Sequence, residues 1–196
     1  MRRRRLLRAA AVTTAGSTAG CLRGENGAGI FDDDSGTDDV VADSETPADS
    51  DAPADWPSGS YVDYDTTQVT VEAADGDLLG TVTAAIAETR EQRYLGLSDA
   101  ESLPEDGGML FVYDTPRESL TYVMRRMDFG IDIVYADAEG TITRIHNAPA
   151  PEPDEDGNQQ RYPGSGQYVL EVPYEWTDRH EVAVGDVLVF EAGAGT

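Results

Sequence analysis

The stretch IDIVYADAEGTITRIHN, residues 131–147, is the part of the chain that decides its fold. Its first six residues are apolar except for Asp132, a pattern typical of a short buried strand. Residues 137–140 are turn residues, and residues 141–147 alternate imperfectly between apolar and polar side chains. The stretch therefore predicts two short strands joined by a turn.

Short apolar segments separated by turn residues continue on both sides of this stretch, from Tyr61 onward. Further strands are predicted at Gln68–Ala73, Leu78–Ala87, Met109–Tyr113, Leu120–Met124, Gln167–Val172 and Val187–Glu191. One helix is predicted over Thr89–Leu97, with a Thr cap and with Tyr94, Leu95 and Leu97 as apolar contacts. Pro149–Gly166 has no periodicity and is predicted to be a long surface loop. About eight short strands favour a compact, mainly β domain, a β-sandwich or small barrel, over residues 61–193.

The first 21 residues have the pattern of an export signal. Arg3 and Arg4 begin a twin-arginine motif, which a weakly apolar run follows. Small residues then precede Cys21, the only cysteine of the chain, in an arrangement that resembles a lipobox. We therefore predict a signal peptide over residues 1–21 and a lipid on Cys21. That lipid would hold the protein on the outer face of the cytoplasmic membrane.

Residues 22–60 are predicted to be a disordered acidic tether. They contain eleven acidic residues and two aromatic ones among Gly, Ala, Ser, Thr and Pro. Such a segment cannot bury enough apolar surface to offset the entropy of ordering it. An acidic interaction tail is the functional alternative.

The overall charge also restricts the class of protein. The chain has 38 acidic residues, 14 Arg and no Lys, and its net charge is −24. Nucleic-acid binding needs clustered cations, so we predict no nucleic-acid partner. The chain has many acidic residues, no Lys and a twin-arginine lipobox. In this combination it resembles a surface protein of a salt-loving archaeon. Concentrated salt would screen the self-repulsion of such a chain.

Several strings, taken in order, resemble one protein family. They are Gly108-Met109-Leu110-Phe111-Val112, Ile131-Asp132-Ile133, Ile145-His146-Asn147-Ala148-Pro149, Tyr168-Val169-Leu170-Glu171-Val172 and Val184-Gly185-Asp186. Their order and spacing resemble the domain-of-unknown-function 192 family over about residues 82–190. The resemblance implies a mainly β domain of sandwich or jelly-roll type with one short helix, and no established activity. Residues 124–127 read Met-Arg-Arg-Met, where the family commonly has Met-Lys-Asn-Thr.

Two acidic residues and one histidine are candidates for chemistry. Asp132 lies between Ile131 and Ile133 in an apolar strand, where it pins a loop through backbone N–H groups, has a ligand-binding or catalytic role, or is simply exposed. Glu171 has the same kind of setting, and the pair would suit hydrolase chemistry if they met. His146, at a strand end, is either a structural hydrogen-bonding residue or a binding residue.

These patterns favour a binding or accessory module at the cell envelope, without catalysis. The predicted ligand-binding residues are Met124, Arg125, Asp132, His146 and Glu171, together with the loop from Pro149 to Gly166. The partner would be a small ligand or an envelope protein. No catalytic residue, metal or cofactor is predicted, because no ligand or nucleophile spacing forces one. The alternatives are an envelope-acting hydrolase with Asp132 or Glu171 as general base, and a purely structural assembly protein.

Overall fold

The computed structural model describes residues 56–191. The predicted signal peptide, Cys21 and all of the predicted tether before Trp56 lie outside the described residues. The strands are β1 (Thr66–Glu72), β2 (Leu78–Ala87), β3 (Gly107–Val123), β4 (Ile131–Ala136), β5 (Ile142–Ala148), β6 (Arg161–Pro173) and β7 (Val187–Phe190). The helices are α1 (Arg90–Leu95) and α2 (Trp176–Arg179), and a 3₁₀ turn covers Gly59–Tyr61.

The strands form one seven-stranded sheet in the order β5-β4-β6-β3-β2-β1-β7. All neighbours are antiparallel except β2 and β3, which run parallel. The sheet curls into a half-barrel. Its two edges approach each other, since Thr141 bridges to Val187 and the Leu188 N–H donates to the Gly140 carbonyl at 2.8 Å.

The prediction of a mainly β domain with little helix is confirmed, and three local predictions are corrected. Residues 109–113 and 120–124 do not form two strands, because bulges let β3 continue from Gly107 to Val123. Residues 161–166 belong to β6 and not to a loop, because they pair with residues 117–123. A second short helix, α2, follows β6. Its four residues are too few to show a helical period.

Each face of the sheet carries its own apolar core. The inner core draws on both edge strands and contains Val69, Val71, Val82, Ala84, Leu110, Val134, Ala136, Ile142, Leu170, Val172, Trp176 and Leu188. The outer core contains Tyr61, Ala85, Ala87, Leu97, Met109, Phe111, Met124, Met127, Ile131, Ile133, Tyr135, Ala148 and Val169. The strand segments that lie between both cores are buried, as at residues 107–111 of β3 and 169–172 of β6, and β4 is buried at every residue. This double burial explains why residues 131–136 are an almost continuous apolar run.

The paired strands β3 and β6 double back over the outer core. Phe111 and Tyr122 are eleven residues apart on β3, which is about 36 Å in a straight strand. Their ring centroids are 4.9 Å apart, so the strand bends sharply at its bulges. Gly164 of β6 makes room for this arrangement, because a Cβ there would lie 2.6 Å from the Tyr135 ring.

Helix α1 is short, but its start and end are well defined. Thr89 and Gln92 form a capping box, in which each side chain bonds the backbone N–H of the other. Gly96 ends the helix at φ 52°, a left-handed value that favours glycine. Leu97 is buried in the outer core, whereas Tyr94 is 71% exposed and is not the core contact that the helical pattern predicted. Among the described residues, no helix is both long enough and apolar enough to cross a bilayer.

Candidate functional site

A cavity of about 220 Å³ opens between α1 and the folded-back part of β3. This α1 cavity is lined by Arg93, Tyr94, Leu95, Gly96, Leu97, Ser98, Phe111, Tyr113, Thr121, Tyr122, Val123, Arg125, Met127, Ile131 and Glu171. Most of its lining residues are aromatic or aliphatic, and Arg93, Arg125 and Glu171 are its basic and acidic residues. Such a lining is typical of a small-molecule site.

Glu171 is the buried carboxylic acid of this cavity. It lies on the central strand β6, between Met109 of β3 and Ile133 of β4, and is 5% exposed. Its side chain forms no hydrogen bond to any described residue, although every fully enclosed side-chain nitrogen or oxygen in residues 56–191 has a partner. The carboxyl oxygens of Glu171 are therefore open to the cavity.

The apolar surroundings change the protonation of Glu171. Burial away from water raises the pKa of its carboxyl group from 4.5 to about 8. Below that pH the group keeps its proton and can donate a hydrogen bond as well as accept one. Glu171 is thus a neutral acid under mildly acidic and neutral conditions.

Tyrosine hydroxyls surround the same region of the outer core. The Tyr113 and Tyr122 hydroxyls are 3.1 Å apart and hydrogen-bonded. Burial raises the pKa of Tyr122 well above its ordinary value, with smaller contributions from Tyr113 and Glu171. Burial likewise raises the pKa of Tyr61 to about 12. The Tyr122 and Tyr61 hydroxyls consequently stay protonated, and they add polar groups without adding charge.

Two half-buried arginines provide the positive charge of the cavity. The Arg93 guanidinium donates to the Val112 carbonyl at 2.8 Å and lies 4.8 Å from the centroid of the Tyr113 ring. The Arg125 guanidinium lies 4.1 Å from the centroid of the Tyr94 ring and donates to the Tyr94 carbonyl. Contacts of this kind hold a guanidinium in place without neutralising its charge.

Neither of these arginines is paired with a carboxylate inside residues 56–191. The salt bridges found there join Arg126 to Asp99 at 2.8 Å and Arg179 to Glu105 at 2.9 Å. A third guanidinium, that of Arg117, lies 5.5 Å from the centroid of the Tyr113 ring. The α1 cavity is thus a positively charged site on a domain with many acidic residues.

Asp132 lies on β4 and is completely buried. Its carboxylate accepts hydrogen bonds from the Glu175 N–H at 2.9 Å, the Thr177 N–H at 2.8 Å and the Thr177 hydroxyl at 2.6 Å. Burial raises the pKa of Asp132, and the bonds from Thr177 oppose that rise. The carboxylate therefore ties the start of α2 to the sheet.

The structure does not bring Asp132 and Glu171 together. Asp132 pairs with Val172 and Glu171 pairs with Ile133, so the two carboxylates lie one register step apart on adjacent strands. Side chains on successive positions of a strand point to opposite faces. Asp132 faces the inner side and Glu171 the outer side. This geometry is incompatible with a site that uses both carboxylates as a pair.

The remaining predicted residues divide between the cavity and its surroundings. Arg125 and Glu171 line the same cavity. Met124 is fully buried, and its N–H donates to the Gly157 carbonyl at 3.0 Å, which holds the loop after β5 against the core. His146 lies within 2.9 Å of the Pro163 carbonyl through Nε2 and packs edge-on against Tyr162. Neither Met124 nor His146 lines the α1 cavity.

The residues that sequence reasoning missed are the aromatic and cationic ones, such as Arg93, Tyr113 and Tyr122. They lie on two elements that meet only because β3 folds back, and no local pattern marks them. A cluster of metal-ligating side chains is not found among residues 56–191.

Comparison with known families places this domain in a class whose activity is not defined. Residues 70–190 match DUF192, a family described as "Uncharacterized ACR". The match covers more than half of the chain, so the chain belongs to the DUF192 family. No curated protein matches it.

Two crystal structures resemble the chain over most of their own length. A proposed transcription regulator from Sinorhizobium meliloti 1021 is 25% identical, with a TM-score of 0.58, over 65% of this chain and 95% of that one. A protein of unknown function from Novosphingobium aromaticivorans is 21% identical, with a TM-score of 0.56, over 74% of this chain and 97% of that one. The second likeness concerns the fold alone.

Proposed function

We propose that the chain is a solute-binding module of the cell envelope, anchored by a lipid on Cys21, and that the α1 cavity holds its ligand. The observation that carries the binding part is the Glu171 carboxyl, which is buried, unpartnered among the described residues and open to the cavity. A ligand in the cavity can form a hydrogen bond with Glu171, whereas an assembly scaffold gains nothing from a carboxyl group at this position.

The envelope part of the proposal is supported by the sequence. A twin-arginine motif at Arg3 and Arg4, an apolar run and a small-residue site end at Cys21, the only cysteine. Thirty-four residues of acidic, Gly- and Pro-containing chain, 22–55, would then separate the lipid from the folded domain, to which Trp56 already belongs through its Nε1–H bond to the Gly108 carbonyl. A tether of this kind lets a soluble domain search the space next to the membrane.

The role suggested for the Sinorhizobium protein does not extend to this chain. Residues 56–191 contain 27 acidic residues and 8 Arg. A surface of that charge repels the phosphate backbone of DNA. We therefore propose a small solute, and no nucleic acid, as the ligand.

A test of the binding function uses small-molecule extracts of native envelopes. The full chain, the variant Thr121→Trp and the control Thr66→Trp are each incubated with the extract in concentrated salt and examined by native mass spectrometry and NMR. Thr121 lines the cavity, whereas Thr66 begins β1 on another part of the sheet. We expect a small molecule on the wild type and the control, and none on Thr121→Trp. Equal capture by all three proteins would contradict the proposal.

A second test addresses the anchor. The chain is expressed in a host with twin-arginine export, and Cys21→Ser is compared with the wild type. We expect wild-type protein in the membrane fraction, with a lipid adduct on Cys21 by mass spectrometry. The variant should be released or keep its leader. An unmodified wild-type cysteine would refute the anchoring.

A further inference from the structure

We propose that the ligand of the α1 cavity is a small amphipathic monoanion, such as a monocarboxylate, with a hydrogen-bond acceptor at its other end. Its anionic group would lie at Arg93 and Arg125, and its acceptor would face Glu171. This inference rests on the proposed function and specifies the chemistry of the same site.

The buried end of the site is defined by Glu171. Because burial keeps this carboxyl protonated up to about pH 8, it presents an O–H donor to the cavity. A carbonyl or ether oxygen matches that donor. An anionic group beside Glu171 would instead be desolvated in an apolar pocket without an opposite charge next to it, which is unfavourable.

The charged end of the site is defined by the two arginines. Arg93 and Arg125 are half-buried and held by aromatic rings and backbone carbonyls, and neither is paired with an acid within residues 56–191. A guanidinium has five N–H donors, so donors remain for a carboxylate. The nearby Asp99 is engaged by Arg126.

The walls and the volume limit what lies between these two ends. Phe111, Tyr122 and Ile131 present apolar surface to the cavity, which suits a flat or aliphatic body. A volume of about 220 Å³ holds roughly seven waters at the density of the liquid. Most ligand pockets have volumes of at least about 300 Å³, so this cavity is smaller than usual. The ligand is therefore a small molecule and not a polymer segment.

Other ligand classes leave part of the site unsatisfied. A cation would meet two guanidinium groups and a neutral acid. A wholly apolar molecule would leave both the arginines and Glu171 without partners. A monoanion with a distal acceptor satisfies both ends, which is why we choose it.

The test uses four probes that separate charge from acceptor: benzoate, 4-acetylbenzoate and their neutral amides, benzamide and 4-acetylbenzamide. Binding to the full chain is measured by NMR titration at about pH 6, below the pKa of Glu171, in concentrated salt. We expect 4-acetylbenzoate to bind best. Loss of the carboxylate or of the acetyl group should each weaken binding about tenfold, the size of one hydrogen bond.

Variants assign each preference to its residue. Arg125→Gln and Arg93→Gln should each reduce the preference for carboxylate over amide and keep the preference for the acetyl group. Glu171→Leu should do the reverse. The control Arg126→Gln, which changes an exposed arginine outside the cavity, should alter neither preference. Glu171→Gln is the alternative if Glu171→Leu folds poorly, because its amide is a hydrogen-bond donor at every pH. This variant should bind 4-acetylbenzoate with the same affinity at about pH 6 and pH 10. The affinity of the wild type should be lower at pH 10 than at pH 6.

The outcomes distinguish this inference from the proposed function. Equal binding of anions and amides to the wild type, or a carboxylate preference that survives both arginine variants, overturns the inference alone. If none of the four probes binds but the extract experiment still yields a ligand that Thr121→Trp excludes, the inference alone is again overturned. If neither experiment yields a ligand in the cavity, both proposals fail.

Discussion

Asp132 and Glu171 lie on neighbouring strands, one register step apart, yet they belong to different sides of the sheet. Asp132 faces the inner core and has three hydrogen bonds, whereas Glu171 faces the outer core and has none to the described residues. The two acids look alike in the sequence, since each interrupts an apolar strand. The structure gives the first a role in holding α2 and leaves the second free to meet a ligand.

The stability of the domain should fall as pH rises, because of Glu171. Its folded-state pKa of about 8 exceeds its ordinary value of 4.5, so the folded state binds the extra proton between these values. The contribution is complete below about pH 4.5 and declines by up to about 1.4 kcal/mol per pH unit until about pH 8. Glu171→Gln should remove this slope from the free energy of unfolding measured with urea. An identical pH dependence in the two proteins would show that Glu171 is exposed or paired.

Asp132→Ala should destabilise the domain by about 2–4 kcal/mol, because the buried Thr177 N–H and hydroxyl and the half-buried Glu175 N–H lose their acceptor. Asp132→Asn, which keeps one acceptor oxygen, should cost less. Neither variant should change binding of 4-acetylbenzoate at a temperature where both are folded, since Asp132 is on the face opposite the cavity. Denaturant unfolding and NMR titration check these statements. Altered binding in folded Asp132→Asn would mean that the two faces are coupled.

Gly164→Ala should destabilise the domain by about 1–3 kcal/mol through overpacking, because the new methyl group would lie 2.6 Å from the Tyr135 ring. The neighbouring exposed residue supplies the control, Ser165→Ala, which should change the unfolding free energy by less than about 0.5 kcal/mol. Thermal unfolding of both variants measures the difference. Equal melting temperatures would mean that β6 does not lie against Tyr135.

Dilution of salt should unfold the domain. Residues 56–191 carry 27 acidic residues and 8 Arg, and their repulsion is screened over roughly 3 Å at about 1 M salt but over about 10 Å at 0.1 M. We expect the circular dichroism spectrum to lose its β signal on dialysis into dilute buffer and to recover when salt is restored. An unchanged spectrum and melting temperature would show that the acidity has another role.

Local sequence patterns were sufficient for the elements whose apolar and polar residues alternate or whose ends have clear cap or turn residues. Leu78–Ala87 was predicted with the bounds that β2 has, and Thr89 was correctly identified as a helix cap. Local sequence patterns failed where pairing between distant strands overrides the local composition. Residues 161–166 contain Pro163, Gly164 and Gly166, which are turn-like residues, yet the ladder with β3 makes them a strand.

The sequence by itself determined the family, the mainly β class and the chemical interest of Glu171, because each depends on residue type, order or period. Only the tertiary structure decided which acid meets a cavity. Glu171 lines the same cavity as Arg93, Arg125 and Tyr122 because β3 bends back over its own sheet and α1 packs beside it. Contacts between residues so far apart in the chain depend on how strands pair and bend, which no local pattern records.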